Sequence, residues 1–117
     1  MRAYFMRSVQ KKEVRFYETR EGRCPCIEWR NSLDTKIQAI VAARISRLEM
    51  GNVGCANRPG EGVHELKIDF GPGFRIYFGN THGTLVIILM GGSKKHQKRD
   101  ILQAKIYWSD WKILYWD

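Results

Sequence analysis

Residues Gly62–Asp100 read GVHELKIDFGPGFRIYFGNTHGTLVIILMGGSKKHQKRD, and their pattern decides the fold. Apolar and polar residues alternate on both sides of a Gly71–Gly73 turn signal, which predicts a β-hairpin with one buried face. Leu85–Met90 is then apolar at every position, as in a central strand that is buried on both faces. The alternating apolar positions are Leu66, Ile68 and Phe70 before the turn and Phe74, Ile76 and Phe78 after it.

A hairpin that closes symmetrically about its turn also predicts which residues face one another. Because side chains alternate between the two faces of a strand, Lys67, Arg75 and Tyr77 are expected on the face that points away from the aliphatic core. The expected pairs are Ile68 with Ile76, Asp69 with Arg75, and Lys67 with Tyr77.

The residues before the hairpin predict a strand and two helices. Glu13–Glu18 alternates between faces, which is typical of a strand. Pro25 suits the first turn of a short helix that runs to about Ser32, because the N–H that proline lacks would have no helical partner there. A second helix follows a tight Asn31–Asp34 turn and ends at Gly51. Its apolar stripe consists of Leu33, Ile37, Ile40, Val41, Ile45 and Leu48.

Two further segments complete the prediction of local structure. Residues 52–62 are rich in Gly and Asn and predict a loop. Gly91 and Gly92 are expected to break the third strand of the hairpin region, and Ser93 is a suitable cap for a final helix. The apolar stripe of that helix consists of Ile101, Ala104, Trp108 and Trp111.

The predicted order is therefore β-α-α-β-β-β-α, an α+β domain. We expect an antiparallel sheet with an N-terminal helical hairpin and a C-terminal helix packed on one of its faces. Residues 1–12 are expected to form a basic N-terminal arm, residues 13–110 the folded domain, and residues 111–117 an aromatic C-terminal tail. A chain of 117 residues is long enough for one hydrophobic core and too short for two domains.

The charge of the chain points to a polyanionic partner. Twenty basic and 12 acidic residues give a formal charge of +8. Residues 1–12 carry four positive charges and no negative one, and Lys94–Arg99 carry four in six positions. Clustered excess of this kind is typical of proteins that bind nucleic acid, a membrane surface or an acidic protein.

The cysteine content and the length of the apolar runs indicate the cellular compartment and the cofactors to expect. Three cysteines are an odd number and, with the histidines, lack zinc-finger spacing, so we expect reduced thiols in a cytoplasmic protein with no metal or other cofactor. The longest apolar run, Leu85–Met90, is too short to cross a bilayer, and the N-terminal residues lack the apolar core of a signal peptide. No membrane partner is expected.

Four motifs connect the chain with a known family. They are FYETREGRCP at residues 16–25, IEW with NSLD at residues 27–34, HELKIDFGPGFRIYF at residues 64–78 and GGSKKHQKRDI at residues 91–101. With these motifs the chain resembles the RelE/ParE superfamily of type II toxins, in particular its phage-derived, HigB-like branch of addiction module killer proteins. The resemblance covers roughly Glu13–Trp108.

The resemblance implies a partner and an activity. It implies a toxin that a cognate antitoxin, expected to be a helix-turn-helix protein, neutralises and carries to operator DNA. It also implies cleavage of messenger RNA on the ribosome without a metal, in which Lys67 would transfer a proton, Arg75 and Lys94 would stabilise the phosphate, and His96 would be a general acid. The residues expected to bind nucleic acid are Tyr77, Lys95, Lys98 and Arg99.

The chain also departs from the RelE-type pattern, and these departures keep other functions open. Glu65 stands where RelE-type members have a second strand lysine, and Ile101 lies near the place of their helix tyrosine. A ParE-type gyrase inhibitor without nuclease activity and a non-toxic basic binding module are the alternatives. At the residue level, Arg75 could instead form a surface ion pair with Asp69, worth about 0–1 kcal/mol. The basic cluster Lys94–Arg99 could bind an acidic antitoxin segment instead of RNA.

Overall fold

A computed structural model describes residues 11–52, 56–81 and 83–116, and it confirms the α+β class. Five strands form one sheet and three helices cover it. A 3₁₀ turn over Lys94–His96 joins the last strand to the last helix. The elements are β1 (Glu13–Phe16), α1 (Pro25–Asn31), α2 (Thr35–Glu49), β2 (Asn57–Gly60), β3 (Val63–Ile68), β4 (Phe74–Thr81), β5 (Leu85–Ser93) and α3 (Gln97–Tyr115).

The N-terminal helical hairpin forms as predicted. Pro25 occupies the first turn of α1, and Asp34 caps α2 by accepting a hydrogen bond from the Ile37 backbone N–H at 3.0 Å. Gly51 adopts a φ of +88° just after α2, a conformation that glycine reaches without steric cost. Its N–H bonds to the Leu48 carbonyl at 3.0 Å, which satisfies one of the last carbonyls of the helix.

The sheet is mixed, so the expectation of a purely antiparallel sheet is wrong in this respect. The strand order is β1-β5-β4-β3-β2, and β1 pairs with β5 in parallel while the other pairs are antiparallel. The segment between β1 and β5 contains α1, α2 and the strands β2, β3 and β4, so it easily provides the long connection that parallel neighbours require. The strand β2 was missed because Asn57–Gly60 reads as turn-forming sequence, and Pro59 is tolerated there because β2 is an edge strand.

Helices cover both faces of the sheet, which corrects the prediction of one covered face. One core lies under α1 and α2 and contains Leu48 and Ile88, whereas the other lies under α3 and contains Ile87, Leu89 and Trp108. From Val86 to Leu89, successive residues of β5 therefore enter different cores. The prediction that Leu85–Met90 is a strand buried on both faces is confirmed, and two covered faces follow from it.

The β3–β4 register differs from the prediction by two residues. Lys67 pairs with Arg75 and Glu65 pairs with Tyr77. The difference arises because β3 ends at Ile68, so that Asp69 belongs to the turn and has no partner in the ladder. The odd-numbered residues still share one face, but α3 covers part of that face.

The glycines of β5 continue the strand and do not break it, contrary to the prediction. A Cβ on Gly91 would lie 2.1 Å from Trp29 Cε3, and a Cβ on Gly92 would lie 2.0 Å from Asp100 Oδ2. The two glycines thus admit a side chain from α1 on one face and from α3 on the other. Ser93 precedes the 3₁₀ turn, and its side chain forms no capping hydrogen bond.

The last helix crosses the domain boundary that was predicted at residue 110. It continues to Tyr115, and Trp111 is buried in the core under α3, where it stacks on Trp108 with 5.3 Å between ring centroids. The expected aromatic tail is therefore largely helix. Residues 1–10 of the expected basic arm lie outside the described residues. Within the described ranges, no helix combines the length and the apolar character that crossing a bilayer requires.

Candidate nucleic-acid interface

An open cleft lies where β3 ends, β4 begins and β5 ends. The register sets Lys67 opposite Arg75, and the Lys94 N–H donates to the Gly73 carbonyl at 3.1 Å, which brings the first residue after β5 beside the turn. We call this site the basic cleft. Its volume is about 410 Å³, and its lining residues are Lys67, Asp69, Phe70, Gly71, Pro72, Gly73, Arg75 and Lys94.

The three cations of the basic cleft come from different elements and differ in exposure. Lys67 and Lys94 are exposed, whereas the Arg75 side chain is only 7% exposed. Gly73 separates Arg75 from Lys94, since a Cβ at this glycine would lie 3.4 Å from Arg75 Nη1 and 3.6 Å from Lys94 Cβ. The structure thus brings together Lys67, Arg75 and Lys94, the three basic residues that the resemblance assigns to proton transfer and phosphate stabilisation.

Arg75 is held from behind by a buried carboxylate. Its Nε lies 3.6 Å from Glu65 Oε2, a distance that makes an ion pair without a hydrogen bond, and the Glu65 side chain is 3% exposed. The surface pair with Asp69 that the sequence left open is therefore replaced by a buried pair with Glu65. A guanidinium fixed in this way presents its terminal nitrogens with little loss of side-chain entropy on binding an anion.

Glu65 is a residue beneath the basic cleft whose contacts the sequence reasoning missed. It accepts hydrogen bonds from Asn57 Nδ2 at 3.3 Å, Tyr77 Oη at 3.2 Å and Gln97 Nε2 at 2.8 Å. These donors lie on β2, β4 and α3, so one carboxylate joins three elements beneath Arg75. The available signal was its position, because Glu65 shares a strand face with Lys67 and lies opposite Tyr77 in the observed register.

Tyr77 does not contact solvent, so its expected role in binding nucleic acid is wrong in this structure. The ring is fully buried in the core under α3, and its hydroxyl donates to Glu65. Burial, and then the negative charge of Glu65, raise the pKa of Tyr77 above its usual value. A base cannot stack on a ring that α3 already covers.

A second basic depression adjoins the basic cleft through Lys94. It has a volume of about 420 Å³ and is lined by Lys94–Arg99, in which the four cations and His96 are exposed. His96 therefore lines the neighbouring depression and not the basic cleft. Lys95, Lys98 and Arg99 are accessible, as a nucleic-acid contact requires.

Asp100 lies beneath these cations at the start of α3. It is 4% exposed, its carboxylate occupies the space that Gly92 leaves open, and it pairs with Arg99 at 3.5 Å. Burial raises the pKa of Asp100, while Arg99 and His96 act in the opposite direction. A carboxylate in the first turn also interacts favourably with the helix dipole, which partly offsets the repulsion among the neighbouring cations.

The arrangement is suited to binding a phosphodiester. Arg75 supplies a fixed planar donor, and Lys67 and Lys94 supply flexible ammonium groups around the same opening. The second depression extends the positive surface along the chain of a longer polyanion. Among the described residues, no group of three or more His, Cys, Asp or Glu side chains is arranged to hold a metal ion.

Comparison with known proteins gives one informative relative. No protein-family model matches the chain. An uncharacterized protein of Haemophilus influenzae (strain Rd) is 44% identical over 79 residues, which correspond to 67% of this chain and 80% of the relative. Identity at this level over most of the relative indicates common ancestry and a common fold. The chain therefore belongs to the same protein family as this uncharacterized Haemophilus influenzae protein.

Proposed function

We propose that the chain is a RelE/ParE-type toxin of a type II toxin–antitoxin system, which cleaves messenger RNA on the ribosome without a metal ion. The observation that carries the proposal is the convergence of Lys67, Arg75 and Lys94 around one open cleft, from β3, β4 and the 3₁₀ turn after β5. The family resemblance assigns roles to these same residues.

The geometry suggests how the work is divided. Arg75, held by Glu65 at the floor of the basic cleft, binds the scissile phosphate and stabilises the charge that builds up on it in the transition state. Lys94 adds a second positive charge across Gly73. Lys67 is exposed at the rim and transfers a proton to or from the attacking or leaving oxygen.

The exposed residues of the second basic depression have a separate role. Lys95, Lys98 and Arg99 bind the backbone of the flanking RNA, and His96 could donate a proton only to a group that reaches across Lys94. The cognate antitoxin neutralises the toxin in the cytoplasm.

Induced expression in a bacterial host tests this proposal. The wild-type chain should arrest growth and produce new 5′ ends within translated messages, mapped by primer extension. Lys67→Gln with Lys94→Gln, both at exposed positions of the cleft, should reduce cleavage by at least about a hundredfold, since removing a single donor from such a site commonly costs about 10²–10³ in rate.

Arg47→Gln is the matched control. Arg47 is exposed near the end of α2, and α2 ends beside Lys12, at the edge of the sheet opposite the basic cleft. This variant removes one positive charge and should cleave like the wild type. Growth arrest with intact messages would contradict the nuclease proposal.

A second candidate is a toxin that inhibits DNA gyrase, and Glu65 is the observation that favours it. A buried glutamate replaces a RelE-type lysine, and the basic cleft therefore has one cation fewer than RelE-type members carry. Expression would then induce the DNA-damage response and leave messages uncut. Unaffected growth at high expression would instead favour a non-toxic binding module.

A further inference from the structure

The helix α3 has a second apolar face that nothing in the described residues covers. Leu102 is 63% exposed, Ile106 61% and Ile113 73%. Their spacing of four and seven residues places them on one side of the helix, opposite the buried Ala104, Trp108 and Trp111 stripe. We call this face the outer stripe. Contiguous exposed aliphatic side chains on a helix commonly mark a site where another protein binds.

A row of lysines borders the outer stripe along one edge. Lys98, Lys105 and Lys112 recur every seventh residue and so stay beside the stripe for its whole length. Lys105 Nζ pairs with Glu61 at 3.3 Å, and the Lys105 side chain is 21% exposed whereas that of Glu61 is 73% exposed. Lys112 Nζ lies 5.6 Å from the centre of the Trp108 ring. Apolar residues flanked by lysine at heptad spacing have the pattern of one partner in a pair of helices.

The positive charge of this edge indicates which kind of segment can bind the outer stripe. The chain's own residues 1–12 carry four basic and no acidic residues, so they do not complement the lysines. A second copy brings a charge of +8 and the same lysine row. Asp110, the acidic residue beside the stripe within described α3, is already bound to Tyr17 Oη at 2.7 Å and Arg20 Nε at 2.9 Å.

We propose that the outer stripe binds an amphipathic helix of a partner protein, with acidic residues of that helix facing Lys98, Lys105 and Lys112. The aliphatic residues supply buried area, and the lysine row fixes orientation and rejects basic helices. The surface lies outside the basic cleft and shares Lys98 with the second basic depression, and the proposal does not depend on RNA cleavage.

Three designed helical peptides of three heptads each provide the test. The first has Leu and Ile at its a and d positions and Glu at e and g, where the like charges keep it from pairing with itself. The second replaces Glu with Lys, and the third keeps Glu but replaces the apolar residues with Ser. Fluorescence anisotropy should show that the purified full chain binds the first peptide at least tenfold more tightly than either of the others.

Variants of the chain locate the binding. Ile106→Gln with Ile113→Gln should weaken binding of the first peptide at least tenfold and leave the melting temperature unchanged, because both side chains are exposed. Met50→Gln, a change at another exposed apolar residue, should bind like the wild type. Replacing the three lysines of the row with Glu should reverse the preference toward the Lys peptide.

Three results would overturn the proposal. Equal affinity for the Ser peptide would mean that net charge alone drives binding, and no effect of the two Ile changes would place binding elsewhere. A wild-type dimer in sedimentation that Ile106→Gln with Ile113→Gln dissociates would identify a second copy as the occupant. Failure of message cleavage would leave this binding result standing, and the reverse also holds.

Discussion

At the scale of single residues, the buried pair of Glu65 and Arg75 connects stability with the candidate chemistry. A buried ion pair contributes little net stability over apolar residues, but removing one partner leaves an uncompensated charge. Glu65 also joins β2, β4 and α3 through its hydrogen bonds. The same carboxylate therefore supports the fold and orients Arg75 in the basic cleft.

Glu65→Gln should destabilise the protein by roughly 3–5 kcal/mol, because it leaves the guanidinium of Arg75 buried without an opposite charge. Urea denaturation measures the loss. Adding Arg75→Gln should restore part of it, since the unpaired charge is then removed as well. Glu49→Gln, at an exposed position of α2, is the control and should change stability by less than about 0.5 kcal/mol. Strictly additive losses for the double variant would show that the pair is not coupled.

Asp110 should make stability depend on pH. Its hydrogen bond from Tyr17, and then that from Arg20, hold the pKa of Asp110 below its usual value. Because the pKa of Asp110 is lower in the folded state than in the unfolded state, its ionised carboxylate stabilises the fold at pH values above the unfolded pKa of about 4. This stabilisation is lost as the pH falls through the folded-state pKa. Asp110→Asn should therefore cost about 2 kcal/mol at pH 7.

The difference between wild type and Asp110→Asn should shrink as the pH is lowered from about 5 to about 3. Urea unfolding at each pH gives this difference directly. Tyr17→Phe removes one of the two donors and should show a smaller effect of the same sign. A difference that stays constant with pH would mean that the negative charge of Asp110 is not the stabilising feature.

At the scale of elements, the sequence predicted well which segments form helices and main strands. It predicted poorly how the strands pair with one another. The stripe of α2 and the apolar run of β5 are strong periodic signals. The β3–β4 pairing depends on the residue at which β3 ends. The glycine-rich turn is compatible with more than one end point, so tertiary packing determines which one occurs. Hydrophobic pattern could not show that β5 has one extra residue, Leu89, between the pairs Tyr77–Met90 and Phe78–Ile88.

That bulge in β5 determines which helix each glycine meets. It reverses the alternation, so Gly91 faces Trp29 and Gly92 lies opposite Arg75, under Asp100. From the sequence alone, two adjacent glycines indicate the end of a strand. Their role here could not be predicted, because the side chains that pack against them are distant along the chain. Their function is to admit large groups close to the backbone.

Gly91→Ala should destabilise the protein by about 1–3 kcal/mol, because the added methyl group overlaps the Trp29 ring. Thermal or urea unfolding measures the change. In a Trp29→Leu background the same substitution should cost much less, since the smaller side chain leaves room for the methyl group. An equal cost in both backgrounds would assign the effect to strand conformation and not to the tryptophan.

At the scale of the whole molecule, two cores share one sheet. Sequence reasoning found many residues of both cores but assigned them to a single layer, and it placed Trp111 on the apolar stripe of the last helix while ending the domain one residue before it. The composition of the candidate site was predictable, since Lys67, Arg75 and Lys94 do meet. The burial of Tyr77 and the position of Glu65 were not, because they depend on how α3 lies across the sheet.

Trp111→Ala should destabilise the domain by about 3–5 kcal/mol, because it removes a large buried ring that stacks on Trp108. A chain that stops after Asp110 should lose at least as much and fail to fold at 37 °C. Ile113→Ser, at a position 73% exposed, is the control and should stay within about 0.5 kcal/mol of the wild type. A stable truncated chain would restore the original domain boundary at residue 110.

The parallel pairing of β1 with β5 also constrains the order in which the strands of the sheet can pair during folding. Glu13 pairs with Leu85, so the first strand has no neighbour until more than seventy further residues have been synthesised and the hairpin between them has closed. Contacts of such long sequence separation form late and slow the folding of small domains. During translation the helical hairpin α1–α2 can form early, whereas the sheet edge that receives β1 is assembled only after β5 has been synthesised.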